Sequence, residues 1–461
     1  MSVHEISQRH ALILDAVRRL LRRGAMRNLG KMVNKMHPAE VAKVVRHLDE
    51  LAEMRILVSL IDDVEERAYV LSKLDEDSAR GVFLEMPGPD QMAILQALSS
   101  DDAADLLGDL PPEIAQNLIA RMPEGDTDVV GLLSYPEETA GGIMTPDFLA
   151  MPMSMRAGDA IGHLQGAPDA EMVFYIYAVD DAGRLKGVLS LRELLTVEPD
   201  TPLEEIMTTP VIRAGVDVDQ EEVARLTARY NLLAVPVVDA DEQLVGIITV
   251  DDVIDVIREE ATEDMLKMSG TQVGAEYTLS MGSFHAARLR LPWLLVNAIG
   301  GMVSAWVMVQ FTGTLQSALA LVAFIPISMA LGGSLGVQSS TIVVRGLATG
   351  RIELGDVRRV FLREVRVGTM VGLICGILVG SIAYLWHDPW LGAVVGMSLF
   401  VASGVAVTIG TLAPIGFQYF RIDPAISSGP LVTMVNDVTG LLIYLGLATL
   451  MLAYAVPVVQ P

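Results

Sequence analysis

Two groups of acidic residues give this sequence its most distinctive chemistry. Residues 250–264 read VDDVIDVIREEATED, in which Asp252, Asp255 and Arg258/Glu259 follow helical spacing, as do Asp252, Glu260 and Glu263 across two turns. An earlier group is formed by Asp217, Asp219, Glu221 and Glu222. Carboxylate oxygens without nitrogen or sulfur ligands favour hard cations such as Mg²⁺ or Ca²⁺. A solvated acidic face is the alternative interpretation of both groups.

A single carboxylate, Asp437, lies inside the apolar segment 428–444. Thr433, Asp437 and Gly440 share one helix face by their spacing, and Asn436 flanks that face. An ionisable group within a membrane segment marks a functional site by default, and a neutral structural carboxyl is the alternative. A second apolar segment, 326–350, carries the polar residues Ser334, Gln338, Ser339, Ser340 and Thr341.

The charge distribution separates an acidic part of the chain from an apolar part. The 461 residues are 51% hydrophobic and carry a formal net charge of −24. Residues 1–285 hold 24 Lys and Arg against 51 Asp and Glu, whereas residues 286–461 hold 9 Arg, no Lys and 6 acids. The acidic balance argues against a nucleic-acid-binding protein. One cysteine, Cys375, excludes an intramolecular disulfide framework.

The apolar part is long enough for five membrane spans of about 20 residues each. Polar, Gly and Pro signals predict spans at about 291–311, 316–347, 364–386, 391–419 and 426–456. The second span is expected to be broken near Pro326 and Gly332-Gly333. Uninterrupted charge-poor runs of this length argue against a water-soluble core.

Arginine placement predicts the orientation of these spans. Arg345, Arg351 and four further arginines follow the second span, whereas the loops after the first and third spans carry no Lys or Arg. The positive-inside rule then predicts a cytoplasmic N-terminal part and an outside C-terminus in the inner (cell) membrane. Residues 1–31 lack the apolar stretch of a secretory signal.

The acidic part of the chain is predicted to form two modules. Residues 1–135 are predicted to form an all-α helical-repeat N domain, because Pro or Asp starts short segments with Leu, Ile and Ala at helical spacing. Its basic start, 1–31, suits either contact with an anionic surface or a solvated helix face. This module contains no catalytic constellation.

Residues 136–260 contain an internal repeat. Ile143-Met144-Thr145 recurs as Ile206-Met207-Thr208, and the strand starting at Gly187 recurs at Gly246. Each copy runs strand, turn, strand and helix, and this order resembles a tandem pair of cystathionine-β-synthase-type (CBS) domains. The resemblance implies an α/β module that senses a ligand, often an adenine nucleotide.

The order of a helical N domain, a CBS pair, an acidic linker and five spans resembles the MgtE family of magnesium channels and transporters. The residues that carry the resemblance are Pro326, Gly332-Gly333, Gly336, Gln338, Arg345 and the run Gly429-Pro430…Asn436-Asp437-Val438-Thr439-Gly440-Leu441-Leu442. It implies a multidomain membrane protein and a homodimer in the lipid bilayer, with Mg²⁺ passing between spans two and five. It also implies a connecting (plug) helix at 261–285, before a transmembrane domain at 286–461.

The resemblance further implies which residues bind Mg²⁺. In the pore they are Asp437, Asn436 and Thr433. The sensor carboxylates that close the pore at high cytosolic Mg²⁺ are Asp219, Glu221, Asp252, Asp255, Glu260, Glu263 and Asp264, with Asp101 and Asp105 on the N-domain side. A CBS-bound ATP is expected near Tyr175, Arg192 and Glu193.

Three positions depart from the family pattern. Ser334 and Val337 each stand where the family usually has Asn, and Asn231 stands where an acidic sensor residue is expected. These changes concern selectivity and sensor affinity. A transporter of Mn²⁺, Co²⁺ or Ca²⁺ and a secondary carrier therefore stay open as alternatives.

An enzyme is not expected. The sequence has no GxxxxGK[ST] or HExxH motif, which argues against ATP-driven pumping and zinc-dependent hydrolysis; its one GxSxG match, Gly332–Gly336, lies inside the second predicted membrane span. A carrier of anions or amino acids would favour arginines or broken-helix N-termini at the membrane centre. This chain has a carboxylate there instead.

Overall fold

The computed structural model describes residues 3–48, 50–123, 127–166, 174–270, 283–427 and 429–455. The chain divides into an N-terminal unit, Met1–Arg258, and a C-terminal unit, Glu259–Pro461. The fold confirms the predicted class of an all-α N domain, a CBS pair with strands and five membrane-length helices. The predicted connecting helix at 261–285 is described only in part, because residues 271–282 lie outside the described ranges.

The N-terminal unit begins with ten short helices. They are α1 Val3–Arg22, α2 Met26–Val33, α3 Pro38–Val45, α4 Leu51–Ser59, α5 Val64–Ser72, α6 Glu76–Leu84, α7 Gly88–Ala97, α8 Ser100–Gly108, α9 Pro112–Ile119 and α10 Thr127–Leu132. Asp63 and Asp75 cap α5 and α6 by accepting backbone N–H bonds, and Pro38 stands in the first turn of α3. Helices two apart in sequence pack together, such as α3 on α5 and α6 on α8, which gives a stacked array over a core of buried Leu and Val.

Two three-stranded sheets follow, with the same topology. The strands are β1 Ala150–Pro152, β2 Tyr175–Val179, β3 Leu185–Ser190, β4 Ala214–Gly215, β5 Ala234–Val238 and β6 Leu244–Thr249. The helices are α11 Ala157–Gly166, α12 Leu191–Thr196, α13 Leu203–Ile206, α14 Gln220–Tyr230 and α15 Val250–Met268. In each sheet the first strand is parallel and the third antiparallel to the middle one, which confirms the internal repeat.

The repeated sequence motifs pack reciprocally across the two copies. Met207 of the second copy covers Gly187 of the first, and Met144 of the first copy covers Gly246 of the second. A Cβ at position 246 would lie 2.6 Å from the Met144 sulfur and 3.0 Å from the Thr145 carbonyl oxygen, so a larger residue there would have to displace Met144. The motif therefore recurs because the methionine of each copy covers the strand glycine of the other copy.

The C-terminal unit consists of long apolar helices joined by short segments. They are α16 Ser283–Gln310, α17 Thr312–Ser317, α18 Ile325–Ala348, α19 Val357–Trp386, α20 Pro389–Tyr419 and α21 Pro430–Ala455, with 3₁₀ turns at Leu319–Phe324, Leu354–Asp356 and Pro424–Ser427. Five stretches are long and apolar enough to cross a membrane: Ala286–Gln310, Leu319–Ala348, Val357–Trp386, Pro389–Tyr419 and Pro430–Ala453.

The predicted break in the second span lies only at its start: the 3₁₀ turn Leu319–Phe324 gives way to α18 at Ile325, next to Pro326, whereas the break predicted at Gly332-Gly333 is wrong. Pro326 stands in the first turn of α18, where its missing N–H leaves no helical bond unmade. Gly332 and Gly333 lie inside the same uninterrupted helix. The only irregular part of this span is the 3₁₀ turn that precedes α18.

Glycines bring α19 and α20 into close contact. Gly368, Gly372, Gly376 and Gly380 recur every fourth residue along α19. A Cβ on Gly376 would lie 2.6 Å from the carbonyl oxygen of Gly396 on α20. Small residues at such a contact let two membrane helices pack backbone against backbone.

Candidate functional site: a membrane cavity and an acid cluster

Residues of α18 and α21 line an open cavity of about 550 Å³ in the C-terminal unit. Its lining residues are Met329, Ala330, Gly333, Ser334, Val337 and Gln338 from α18, and Thr433 and Asp437 from α21. Ser334 and Val337, which depart from the family pattern, therefore both face the cavity. Any ion in this space meets their side chains.

Asp437 supplies the negative charge of the cavity. Its carboxylate lies opposite Gly333, where an added Cβ would stand 3.7 Å from Oδ1. Across the described ranges, no hydrogen bond or ion pair engages this carboxylate. Thr433 lies one turn away, and its hydroxyl donates to the carbonyl of Gly429 at 2.9 Å. The hydroxyl oxygen stays available as an acceptor beside Asp437.

Asn436 is predicted to flank the face of Asp437 and to belong to the pore, and its role in the pore stays a prediction. It is buried and packs against Gly336, and it is not among the residues that line the cavity. One residue of helix turns a side chain by about 100°, so Asn436 cannot share the face of Asp437. Gly410 of α20 meets Gly336 at the same level, which places Asn436 beside a three-helix contact.

The N-terminal unit contains a second concentration of carboxylates. We call Asp101, Asp102, Asp105, Asp147 and Asp252 the acid cluster, because each lies close enough to another member to perturb its ionisation. Asp101, Asp102 and Asp105 belong to α8, and Asp252 belongs to α15. The Asp101 Oδ1 atom is buried, and it has no hydrogen-bond partner among the described residues.

Crowding makes ionisation of the acid cluster unfavourable. Desolvation, followed by the charges of Asp101 and Asp102, raises the pKa of Asp105 to about 8, although its side chain can still be reached by solvent. Desolvation also raises the pKa of Asp252 to about 6, against a hydrogen bond from Thr249 that lowers it. Without a cation, protonation reduces the repulsion among these carboxylates. A divalent cation bound here would reduce the same repulsion.

Other predicted sensor residues have protein partners. Asp219 caps α14 by accepting the backbone N–H of Glu221, and the Glu221 carboxylate pairs with Arg225 at 2.7 Å. Asp255 pairs with Arg258 at 3.1 Å and lies 3.9 Å from Lys73, the residue that follows α5. Asn231, expected to be acidic by resemblance, ends α14 with a φ of 51°, a left-handed conformation that Asn tolerates.

The sensor residues of the C-terminal unit lie near the end of α15. Glu263 pairs with Lys267 at 2.7 Å, and Glu260 and Asp264 also have partners. Among the described residues, no group of three His, Cys, Asp or Glu side chains is arranged to hold a bare metal ion. The carboxylates therefore form a charged surface, without a closed coordination cage in the described ranges.

Lys267 connects the end of α15 to the segment that begins α21. Its ammonium group contacts Asp423 at 2.7 Å, and the two carboxylates of Glu263 and Asp423 raise its pKa against the opposing effect of burial. Gly270 packs on Pro430, the first residue of α21. This contact places the end of α15 at the base of the helix that carries Asp437.

The predicted nucleotide residues come together at one corner of the first CBS copy. Tyr175 pairs with Ser190 across β2 and β3, and Arg192 and Glu193 follow in the first turn of α12. Glu193 completes a capping box, in which its carboxylate accepts the Ser190 N–H at 2.8 Å. Arg192 is exposed and can reach an anionic ligand.

Sequence reasoning missed Asp102, Asp147, Glu364 and the Lys267–Asp423 pair. Asp102 adjoins the predicted Asp101, and helical spacing alone could have suggested it. Glu364 was hidden by its arginine neighbours, which made the segment look like a polar loop. Its burial in α19 beside Ser339 is visible only in the folded structure.

Family models match most of the chain. A model described as "Divalent cation transporter" (MgtE) matches residues 325–447, and one described as "MgtE intracellular N domain" matches residues 36–138. The CBS domain model matches residues 140–200 and 203–259. These ranges include both the cavity and the acid cluster.

Curated proteins and solved structures agree with these matches. The chain is 38% identical to "Magnesium transporter MgtE" of Thermus thermophilus, over 94% of this chain and 97% of that protein. It is 34% identical to "Magnesium transporter MgtE" of Bacillus subtilis, over 93% and 95% of the two chains. A crystal structure of the cytosolic domain of the Mg²⁺ channel MgtE in complex with ATP matches with a TM-score of 0.50 and 37% identity, covering 53% of this chain and 99% of that chain.

Proposed function

The chain belongs to the MgtE family, and from that premise we propose that it is a Mg²⁺ channel or transporter whose pore is closed by cytosolic Mg²⁺. The observation that carries the proposal is the unpaired Asp437 carboxylate in a cavity between two membrane helices. An anion placed there favours a divalent cation over a monovalent one, because the attraction grows with the charge of the ion.

The ion passes Asp437 with most of its water. Mg²⁺ dehydrates reluctantly and usually keeps several waters when one or two carboxylates bind it. The Thr433 hydroxyl and the backbone beside Gly333, which has no side chain to cover it, offer acceptors to these waters. The residues at the cavity suit an outer-sphere site, because they supply one carboxylate and several neutral polar groups.

Gating uses the acid cluster and the end of α15. At low cytosolic Mg²⁺ the carboxylates of α8 and α15 repel one another, and bound Mg²⁺ would let them approach. Asp219, Glu221, Asp255, Glu260, Glu263 and Asp264 are the further sensor positions that the family implies. The predicted plug segment, 261–285, couples this change to the pore through the Lys267 contact with Asp423.

Assembly and location complete the proposal. Two copies form a homodimer in the inner membrane, with two Asp437 side chains facing the same axis. The N-terminal unit is cytoplasmic and the C-terminus is outside, as the arginine-rich segment after α18 indicates. Crosslinking across the two copies at positions next to Asp437 tests the dimer, since only a shared axis allows it.

ATP binds at the CBS corner of Tyr175, Arg192 and Glu193. The support is that the matching cytosolic domain was crystallised in complex with ATP. Arg192 would pair with phosphate and Tyr175 would contact the base. Loss of ATP binding in Arg192→Ala, with Arg184→Ala as a matched exposed control, would support this position, and unchanged binding would contradict it.

A second candidate cargo is a different divalent cation such as Mn²⁺, Co²⁺ or Ca²⁺. The observation that favours it is that Ser334 and Val337 both line the cavity. Replacing an amide with a hydroxyl and an apolar side chain changes the acceptors offered to the hydration shell. Measuring the fluxes of Mg²⁺, Mn²⁺, Co²⁺ and Ca²⁺ through the wild-type protein decides which of these cations it transports.

The main experiment measures Mg²⁺ flux into proteoliposomes for the wild type, Asp437→Asn and Asp388→Asn. Asp388 caps α20 by accepting the Leu391 N–H at 2.7 Å, and Asn preserves such a cap. We expect Asp437→Asn to lose Mg²⁺ flux while Asp388→Asn transports normally. Undiminished flux in well-folded Asp437→Asn would overturn the assignment of the pore site.

A further inference from the structure

The N-terminal end of α19 carries three exposed arginines, Arg359, Arg363 and Arg366, which we call the arginine stripe. They follow one another at intervals of four and three residues, so they share one face of the helix. Within the described ranges, no ion pair engages any of the three. The only acid of α19, Glu364, is buried and accepts a hydrogen bond from Ser339 of α18, so it points away from the stripe.

The same face of α19 continues as an apolar surface. Met370, Leu373 and Ile377 extend the spacing of the arginine stripe along the helix, and each is more than half exposed. Large apolar side chains exposed side by side mark a contact surface. Because α19 is long and apolar enough to cross a membrane, the hydrocarbon of the bilayer is the contact that suits this face.

The length of α19 places the arginine stripe at the membrane surface. The helix has 30 residues, which corresponds to a length of about 45 Å. The hydrocarbon core of a bilayer takes up only about 30 Å, or about 20 residues of helix. Residues 367–386 carry no charge and fill that core, so residues 357–366 reach into the layer of lipid headgroups.

The ligand that fits this face is an anionic phospholipid. Arginine presents a planar fork of donors that matches a phosphate group. Arginines four residues apart on a helix stand about 6 Å apart, so two of them can reach one headgroup phosphate. A zwitterionic headgroup adds a cation that the arginines repel, and an anionic headgroup does not. A free phosphate would leave the apolar part of the face uncovered, whereas a phospholipid covers it with an acyl chain.

The positive-inside rule does not by itself require this arrangement. The rule concerns how many Lys and Arg lie beside a span, and it is indifferent to the helix face that carries them. Arg358 is exposed at the same end of α19 but is turned by about 100° from Arg359, and Arg351 lies before the helix. Both satisfy the rule without lying on the apolar face. The alignment of the arginine stripe with that face is therefore a separate property of this chain.

We propose that the exposed face of α19 is a binding site for an anionic phospholipid, with the arginine stripe on the headgroup and the apolar residues beyond it along an acyl chain. The lipid holds the start of α19 at the membrane surface, on the side of the helix that faces away from Ser339 of α18. This inference does not rest on the proposed transport function, because it follows from charge, exposure and helix length.

The experiment counts the lipids bound to the purified full-length protein by native mass spectrometry, in titrations with phosphatidylglycerol and with phosphatidylcholine. Wild type is compared with a stripe variant that combines Arg359→Gln, Arg363→Gln and Arg366→Gln. A control variant combines Arg351→Gln, Arg358→Gln and Arg421→Gln, which removes three exposed arginines from outside the stripe. Soluble glycerol phosphate supplies the headgroup phosphate without acyl chains.

The stripe variant should lose the preference for the anionic lipid. Because each arginine near an anionic surface strengthens binding by roughly fivefold, we expect wild type and control to favour phosphatidylglycerol by about tenfold or more. The stripe variant should bind the two lipids about equally. Equal preference in the stripe and control variants, or none in wild type, would overturn the site. Glycerol phosphate binding as tightly as phosphatidylglycerol would overturn the assignment to a lipid.

Photo-crosslinking from Leu373 identifies what covers the apolar part of the face and leaves the arginines intact. Leu373→benzoylphenylalanine places a photoreactive group on the exposed side of α19 in proteoliposomes that contain both lipids. The expected product is a phospholipid adduct in which phosphatidylglycerol is enriched over its share of the bilayer. A crosslinked dimer would show that a second copy covers this face and would overturn the proposal. This variant also decides the matter if the stripe variant does not fold.

Discussion

In the C-terminal unit Asp437 stands alone in its cavity, whereas in the N-terminal unit Asp101, Asp102, Asp105 and Asp252 crowd together. The isolated carboxylate has neutral neighbours, so its position relative to α18 decides what it can bind. The crowded carboxylates perturb one another, so their number and spacing decide how strongly they attract cations. The same side chain therefore suits ion selection in the C-terminal unit and ion sensing in the N-terminal unit.

The geometry of the cavity should be sensitive to one added methyl group at the contact between α18 and α20. A Cβ on Gly410 would collide with the carbonyl of Gly336, so Gly410→Ala should separate α20 from α18. We expect a destabilisation of about 3 kcal/mol or more, above the usual range for overpacking because backbone cannot yield easily. Thermal unfolding of the purified protein and Mg²⁺ flux measure the effect.

Gly404→Ala is the matched control on the same helix, since nothing lies within 4 Å of its added Cβ. It should fold and transport like the wild type. Equal stability of the two variants would mean that the α18–α20 contact does not set the cavity.

Closure by Mg²⁺ should survive single substitutions in the acid cluster but should be lost when three are combined. Asp101→Asn, Asp105→Asn and Asp252→Asn together remove the repulsion that Mg²⁺ is expected to relieve. The triple variant should keep its flux but no longer close when Mg²⁺ is raised on the N-terminal side. Patch recording with a Mg²⁺ titration on that side measures closure.

Each single variant provides the comparison for the triple variant. We expect a single substitution to shift the Mg²⁺ concentration for half-closure without abolishing it, because the remaining acids still attract cations. Normal closure of the triple variant would exclude this cluster as the sensor.

The pH dependence of the N-terminal unit follows from the raised pKa values. Asp105 and Asp252 have pKa values of about 8 and about 6 in the folded protein, above the ordinary value near 3.9. The folded state therefore binds more protons than the unfolded state above pH ~4, and stability falls as pH rises, until both groups are ionised above pH ~8. Bound Mg²⁺ should flatten this decline.

Hydrogen exchange of α8 and α15 amides in the full-length protein measures this effect after correction for intrinsic exchange. Protection should fall between pH 5 and pH 8 without Mg²⁺ and change less with Mg²⁺ present. A pH dependence that Mg²⁺ leaves unaltered would argue against cation binding at these acids.

The smallest expected effect concerns the contact between Lys267 and Asp423, which is proposed to couple the cation sensor to the pore. Lys267→Met removes the contact with Asp423 but keeps the length of the side chain. Because both partners are partly exposed, the loss of stability should be about 1 kcal/mol or less. Closure by Mg²⁺ should nevertheless become less steep, and Lys186→Met, which removes an exposed lysine paired with Asp180, is the control.

The sequence alone determined the number of spans, the CBS repeat and the helical N domain. These features depend on local patterns: runs without charge, a duplicated strand–turn–strand motif, and Pro or Asp at helix starts. It also singled out Asp437 and Thr433, because a helix period places residues four apart on one face. Helix continuity through Gly332-Gly333 was missed, since the sequence alone does not show whether paired glycines break a membrane helix.

Only the tertiary structure decided which faces meet. Helical spacing gave the angle between Asn436 and Asp437, but the packing of α21 on α18 placed the cavity on one side and the Gly336 contact on the other. Asp252 meets the acids of α8 across about 150 positions of sequence, and no local pattern encodes that approach. Glu364 became a buried carboxylate because α19 turns it towards Ser339, and the sequence period that predicts a helix does not say which neighbour covers it.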